Sequence, residues 1–264
     1  MKQLKFLFTV LLAAMISVTV ATACNSSTQS GAKILTMATS ADYPPYEFVD
    51  STSGQEQIAG FDVDIANYIT EKLGYELTIQ NIDFSGLIPA LQSKRADFVM
   101  AGMTPTEERK QNADFSTIYY EAKNTIVSKQ NSGLTSVESL SGKKVAVQLG
   151  STQEQSAKEQ VVGATVIPLN RINEMIQELK AGRVDALIVE DTVAKGYTES
   201  NPDLEFNTIP SVGETGSAIA FPKGSPLVTE FNPVLEEMKS SGKIEELVTK
   251  WFGDQSPAPQ QPAS

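Results

Sequence analysis

Apolar residues recur along this chain in two alternating rhythms. Short β-rich runs, Ile34-Leu35-Thr36-Met37-Ala38, Leu77-Thr78-Ile79, Phe98-Val99-Met100, Lys144-Val145-Ala146-Val147, Thr165-Val166-Ile167 and Ala186-Leu187-Ile188-Val189, have the hydrophobic character of strands buried on both faces. Between them the spacing turns helical: Ile65, Ile69 and Leu73; Phe84, Leu87 and Leu91; Ile172, Ile176 and Leu179 before Ala181-Gly182; and a long stretch from Leu227 to Leu247 after Ser225-Pro226. Such alternation predicts an α/β fold built on parallel sheets with helices on both faces. Asp62 reads as the N-cap of a helix starting at Val63. Asp62 and Asp64 lack the third acid, the glycine and the distal glutamate of a calcium loop, so no metal site is expected there.

Two turns that follow predicted strands carry the polar chemistry. In Ala101-Gly102-Met103-Thr104-Pro105-Thr106-Glu107-Glu108-Arg109, Thr104 reads as an N-cap, Pro105 as the first helical residue and Glu107 as the second half of a capping box. Free backbone N–H groups with Arg109 one turn later make a positive socket suited to a carboxylate. The plainer reading is a capped helix with a solvated arginine. Ser151-Thr152-Gln153-Glu154 repeats the capping pattern after another strand and offers a second set of N–H groups and the Thr152 hydroxyl.

Composition narrows the chemistry. The chain has no histidine and a single cysteine, which excludes serine–histidine, cysteine–histidine and histidine–metal sites and any internal disulfide. Lys2 and Lys5 precede an uncharged apolar run from Phe6 to Val20, an export signal too short to span a bilayer comfortably. It stops at Ala21-Thr22-Ala23-Cys24, which resembles the lipobox of bacterial lipoproteins, so cleavage before Cys24 and a diacylglycerol on its sulfur are expected. An ordinary secretory signal with an incidental cysteine is the other reading. Removing residues 1–23 takes two lysines and no acid, leaving 19 basic against 32 acidic residues, a net −13 that argues against a nucleic-acid partner. Residues 24–33 read as a flexible tether, and the proline-rich 255–264 as a disordered tail.

Ser40-Ala41-Asp42-Tyr43-Pro44-Pro45-Tyr46-Glu47-Phe48, Gly60-Phe61-Asp62-Val63-Asp64-Ile65-Ala66, Asp83 to Leu91, Ala101 to Arg109 and Asp114-Phe115-Ser116 occur in that order. Together with Gly142 to Thr152, Lys180 to Ala186 and Lys250-Trp251-Phe252-Gly253, they resemble successive blocks of the bacterial extracellular solute-binding proteins of the polar amino acid uptake family. The resemblance implies a periplasmic-binding-protein type II fold: lobe I from residues 34–122 and 217–254, lobe II from 123–216, and crossovers near Tyr120 to Asn124 and Gly213 to Ser217. It implies Tyr43 and Phe84 against the ligand side chain, Arg109 on its α-carboxylate, and Ala101, Gly102 and Thr104 around its polar groups. Ser151 and Thr152 would face the same carboxylate from lobe II, and Gln148 the side chain. An acid would meet the α-ammonium, by register Glu190, with Asp191 the alternative. Where relatives that select basic ligands often carry an acid this chain has Ser40, so a neutral polar or a basic amino acid is open, with Asp42 or Glu47 left to reach a cationic side chain. The implied protein is a monomeric, lipid-anchored binding protein that serves an ABC transporter and needs no cofactor or metal. A prephenate or arogenate dehydratase on the same scaffold, and a surface adhesin or sensor, are the alternative functions.

Overall fold

The computed structural model describes residues 32–210 and 215–258. The export signal, Cys24, most of the tether and the end of the tail lie outside the described residues. The chain first lays down β1 (Ile34–Thr39), a small meander of β2 (Asp42–Tyr43), β3 (Glu47–Asp50) and β4 (Gln57–Ala59), then α1 (Phe61–Lys72), β5 (Glu76–Asn81), α2 (Leu87–Gln92), β6 (Phe98–Val99), α3 (Glu107–Lys110) and β7 (Ala113–Phe115). A second set follows: β8 (Asn124–Lys129), β9 (Lys144–Gln148), α4 (Thr152–Gln160), β10 (Thr165–Leu169), α5 (Ile172–Lys180), β11 (Ala186–Glu190), α6 (Asp191–Ser200) and β12 (Leu204–Thr208). The chain then returns with β13 (Ala220–Pro222), α7 (Leu227–Ser240) and α8 (Lys243–Phe252).

Two five-stranded sheets result, in the orders β5-β1-β6-β13-β7 and β10-β9-β11-β8-β12. Neither is wholly parallel, against expectation. β1 runs parallel to β5 and β6, and β9 to β10 and β11, through helical crossovers, as the sequence pattern predicts. β13 and β8 run antiparallel to their neighbours. Both follow a connection from the other lobe that holds no helix among the described residues, so the right-handed crossover that keeps strands parallel does not apply to them. The predicted helix from Leu227 to Leu247 is two helices, broken at Gly242 with φ of 79°.

One buried cluster runs through both lobes, and each lobe carries a smaller cluster of its own. In the first lobe Phe231 meets Phe98 and Phe221 edge to face at 5.2 and 5.3 Å, and all three are fully buried, each worth about 1.5–3 kcal/mol of burial. Ile126, Val145, Val147 and Ile188 pack together in the second. Tyr120 and Ser217, one on each expected crossover, pair as an antiparallel bridge, with Tyr119 N–H to the Ser217 carbonyl at 2.9 Å and Ser217 N–H to the Tyr120 carbonyl at 2.8 Å. Phe252 at the end of α8 packs on this bridge, 4.6 Å from the Tyr120 ring. The start of the expected tail is ordered onto the body: Ser256 N–H binds the Gly253 carbonyl at 3.1 Å, and Ala258 is partly buried.

Candidate functional site

The carboxyl ends of β1, β6, β9 and β11 point at one cleft between the two lobes, the position where open α/β sheets hold ligands. A small cavity there is lined by Tyr43, Phe84, Ala101, Gly102, Thr104, Arg109, Gln148, Ser151, Thr152, Gln153 and Glu190. Ten of the residues expected from sequence line this cavity, and Asp191 does not. Gln153 is the addition; it is the second residue of α4 and its amide donates to Asn124 Oδ1 at 2.9 Å, tying the helix start to the crossover. The capping pattern at 151–154 marked where α4 begins but not which way its second side chain turns.

Two walls come from the first lobe. Tyr43 stacks on Tyr46 with centroids 5.5 Å apart, and its ring lies against Gly102. Gly102 has φ of 54°, and a Cβ there would touch Tyr43 Cε1 at 3.5 Å, so the turn needs glycine for its backbone more than for space. Phe84 opens a short 3₁₀ turn, Phe84–Gly86, and its ring carries the Arg109 guanidinium 5.2 Å from its centroid.

Arg109 is placed differently from the expectation. Thr104 is not an N-cap and Pro105 is not the first helical residue: α3 starts at Glu107, and Thr106 caps it by accepting from Arg109 N–H at 3.2 Å. Thr104 is buried in the cavity wall, where its carbonyl accepts from Arg109 Nη1 at 2.9 Å. A helix of four residues has little dipole to offer, so the positive element is the guanidinium itself. Its Nη2 crosses the cleft to the Gly150 carbonyl at 2.9 Å, joining the lobes. Desolvation lowers its pKa to about 10, which leaves it charged at neutral pH.

The second lobe contributes the start of α4 as predicted. Ser151 caps it by accepting from Glu154 N–H at 3.1 Å, while the Glu154 carboxylate reaches back to Gly150 N–H at 2.6 Å, one residue beyond the N–H that the usual capping box takes. Gln148, the last residue of β9, turns its amide to the Asn170 carbonyl at 3.5 Å. Glu190 ends the fully buried β11, and its Oε2 has no hydrogen-bond partner among the described residues. Burial pushes its pKa up to about 8, with the nearby Tyr46 hydroxyl opposing the shift and the Asp191 charge adding to it. Asp191 is the first residue of α6, and its carboxylate accepts from Lys123 N–H at 3.2 Å and Thr192 N–H at 3.0 Å. Its local bonds bind α6 to the crossover.

Three further carboxylates have roles the sequence did not signal. Asp62 caps nothing: α1 starts at Phe61 after Gly60, and Asp62 is fully buried with Gly102 N–H at 2.9 Å and Tyr119 hydroxyl at 2.8 Å. Asp42 accepts from Ser40 Oγ at 2.8 Å and, across the cleft, from Ile172 N–H at 2.7 Å, the first N–H of α5. Arg171 lies 3.6 Å from Asp42 and 2.6 Å from Asp83, so this edge of the cleft is latched by charge. Glu47 is fully buried behind Tyr43 and does not line the cavity, which leaves Glu190 as its one carboxylate among the described residues.

The sequence profile of the bacterial extracellular solute-binding proteins, family 3, matches residues 35–254. The arginine-binding extracellular protein ArtP of Bacillus subtilis is 49% identical over 238 residues, spanning 88% of this chain and 92% of that protein. The crystal structure of a substrate binding protein of an amino acid ABC transporter is 44% identical, with a TM-score of 0.80 over 83% of this chain and 99% of that one. An ancestral arginine-binding protein bound to glutamine is 43% identical, with a TM-score of 0.78 over 84% of this chain and 98% of that one. Its two α/β lobes have the periplasmic-binding-protein type II fold, and the chain belongs to the bacterial extracellular solute-binding proteins, family 3.

Proposed function

We propose that the chain captures a free L-amino acid with a long polar or basic side chain, L-arginine foremost, and presents it to an ABC importer. One arrangement carries this reading: a single guanidinium, Arg109, and a single carboxylate without a partner on Oε2, Glu190, face the same cavity. A zwitterionic amino acid neutralises both. Its carboxylate takes the free Arg109 donors, the N–H groups at the start of α4 and the Thr152 hydroxyl. Its ammonium meets Glu190. Ala101, Gly102 and Thr104 frame these groups, Tyr43 and Phe84 offer ring faces to the side-chain stem, and Gln148 meets its polar end. Lobe I comprises 34–122 and 217–254, and lobe II 123–216. The similarity to arginine-binding proteins supports arginine. With Asp42 and Glu47 turned elsewhere the cavity has no second acid for a guanidinium among the described residues, so glutamine, held by the ancestral relative, is the second candidate. The similarity to binding proteins of amino acid transporters favours this reading over the dehydratase.

Calorimetry and a thermal-shift screen of residues 24–264 against the twenty amino acids test this. A ligand at about 100 times its Kd adds about 2.7 kcal/mol of stability, and arginine is expected to give the largest shift. No shift with any amino acid overturns the proposal. Anchoring is the companion proposal, resting on Ala21-Thr22-Ala23-Cys24: a protein exported and held by lipid on the outer face of the cytoplasmic membrane. Cys24→Ser is expected to release soluble protein with unchanged ligand affinity, and a variant that still fractionates with membranes refutes the lipid.

A further inference from the structure

Behind the Tyr43 wall two carboxyl groups meet with no ion-paired cation among the described residues. Glu47, on β3, is fully buried, and neither of its oxygens is reached by a nitrogen or a hydroxyl donor. Its side-chain partner is the carboxyl group of Asp62, itself fully buried. Asp62 by contrast is well supplied: Gly102 N–H at 2.9 Å and Tyr119 hydroxyl at 2.8 Å to each oxygen. Two buried carboxylates in contact cannot both be charged, so they hold one proton between them. The two donors favour the anion on Asp62, and nothing favours an anion on Glu47.

We infer that Glu47 carries this proton and donates it to Asp62, and that the pair is a positioning device which holds the ligand-facing Ala101–Gly102 turn and the Tyr119 crossover on one anchor. Every other titratable group facing Glu47 pushes in the same direction. Asp42 from β2 and Glu190 from β11 are acids, and Tyr43 and Tyr119 are phenols kept neutral by burial. Burial, then Asp62 and Asp42, raise the Glu47 pKa well above the ordinary carboxylate value. Asp62 is raised only to about 6, because its donors oppose desolvation. The linkage between the cavity and the hinge follows from connectivity: Asp62 binds Gly102, which lines the cavity, and Tyr119, which precedes the Tyr120–Ser217 bridge.

The test compares wild type with Glu47→Gln, which keeps a donor for Asp62 but cannot titrate, and Glu47→Leu, which has none. An acid whose folded pKa is raised stabilises the protein below its unfolded value, near 4.5, and loses that contribution as pH rises towards the folded value. The ligand-free melting temperature of Glu47→Gln should therefore gain on wild type by at least about 3 °C between pH 5 and pH 8. Parallel melting curves overturn the shared proton. Only the affinity measurement rests on the amino acid reading; the melting measurement needs no ligand. For the amino acid picked out by the screen, Glu47→Gln should bind within about threefold of wild type and Glu47→Leu at least about tenfold more weakly. Equal affinity of the two variants overturns the positioning role, and if Glu47→Leu does not fold, a loss of tenfold or more in Glu47→Gln overturns it instead.

Discussion

Burial disfavours the charge on both Glu190 and Arg109, yet the arginine, starting far above neutral, keeps its charge, and the glutamate, with a pKa near 8, is mostly protonated at pH 7 before ligand arrives. An ammonium ligand has to drive that proton off. Binding at pH 7 should release close to one proton, read by calorimetry in buffers of different ionisation enthalpy, and affinity should rise from about pH 6 to about pH 8. Without ligand the same group is stabilising below its ordinary 4.5 and loses that contribution as pH climbs towards about 8. Glu190→Gln is expected to flatten the profile and weaken binding by more than about tenfold. Asp191→Asn, whose carboxylate serves Lys123 and Thr192 N–H groups, should cost up to about 1 kcal/mol of stability and leave affinity nearly unchanged. The reverse pattern assigns the ammonium to Asp191. Arg109→Ala removes a buried charge partner worth about 2–5 kcal/mol, so affinity should fall at least about thirtyfold.

Among the elements, α4 is the one whose start the sequence spelled out, and Ser151→Ala should cost about 1 kcal/mol, lowering the melting temperature by about 2–4 °C. Its legibility has a simple cause: cap, helix and capped N–H all lie within four residues. The parallel strands were equally readable, because burial on both faces leaves an unbroken apolar run such as Ala186 to Val189. What stayed hidden depended on distant partners. Asp62 looks like a cap until Gly102 and Tyr119, 40 and 57 residues away, claim its carboxylate. Thr104 and Thr106 both offer a hydroxyl before Glu107, and burial of Thr104 in the cavity wall decides between them. β8 and β12 carry no sustained apolar run, since Asn124, Ser128, Glu205 and Asn207 interrupt them, and their pairing depends on the crossover route. Nine of the expected cavity residues were legible because they sit in ordered blocks that mark a family, and Glu190 by register from the block ending at Ala186; Gln153 and the turning away of Asp191 needed coordinates.

Across the whole molecule the lobes are joined at two places: Arg109 to the Gly150 carbonyl, and Asp42 to the first N–H of α5 with Arg171 and Asp83 beside it. Arg171 touches no cavity residue named above, so its removal isolates closure from contact. A partly exposed pair contributes about 0.2–1 kcal/mol, and Arg171→Ala should weaken binding by about 1.4- to fivefold through that shift of population alone. The ligand-free variant should scatter X-rays as a more open particle than wild type; an unchanged affinity would show that this edge does not report on closure. The Asp42 contact has a kinetic meaning as well. Encounter with the cleft is set by diffusion and varies little, whereas the lifetime of the loaded state depends on every bond that parting the lobes must break. A carboxylate that seals a helix end from across the cleft therefore acts as a clock on the cargo, and a membrane receptor that offers Asp42 or the start of α5 a substitute partner would shorten the wait and hasten unloading without altering a single group that touches the amino acid.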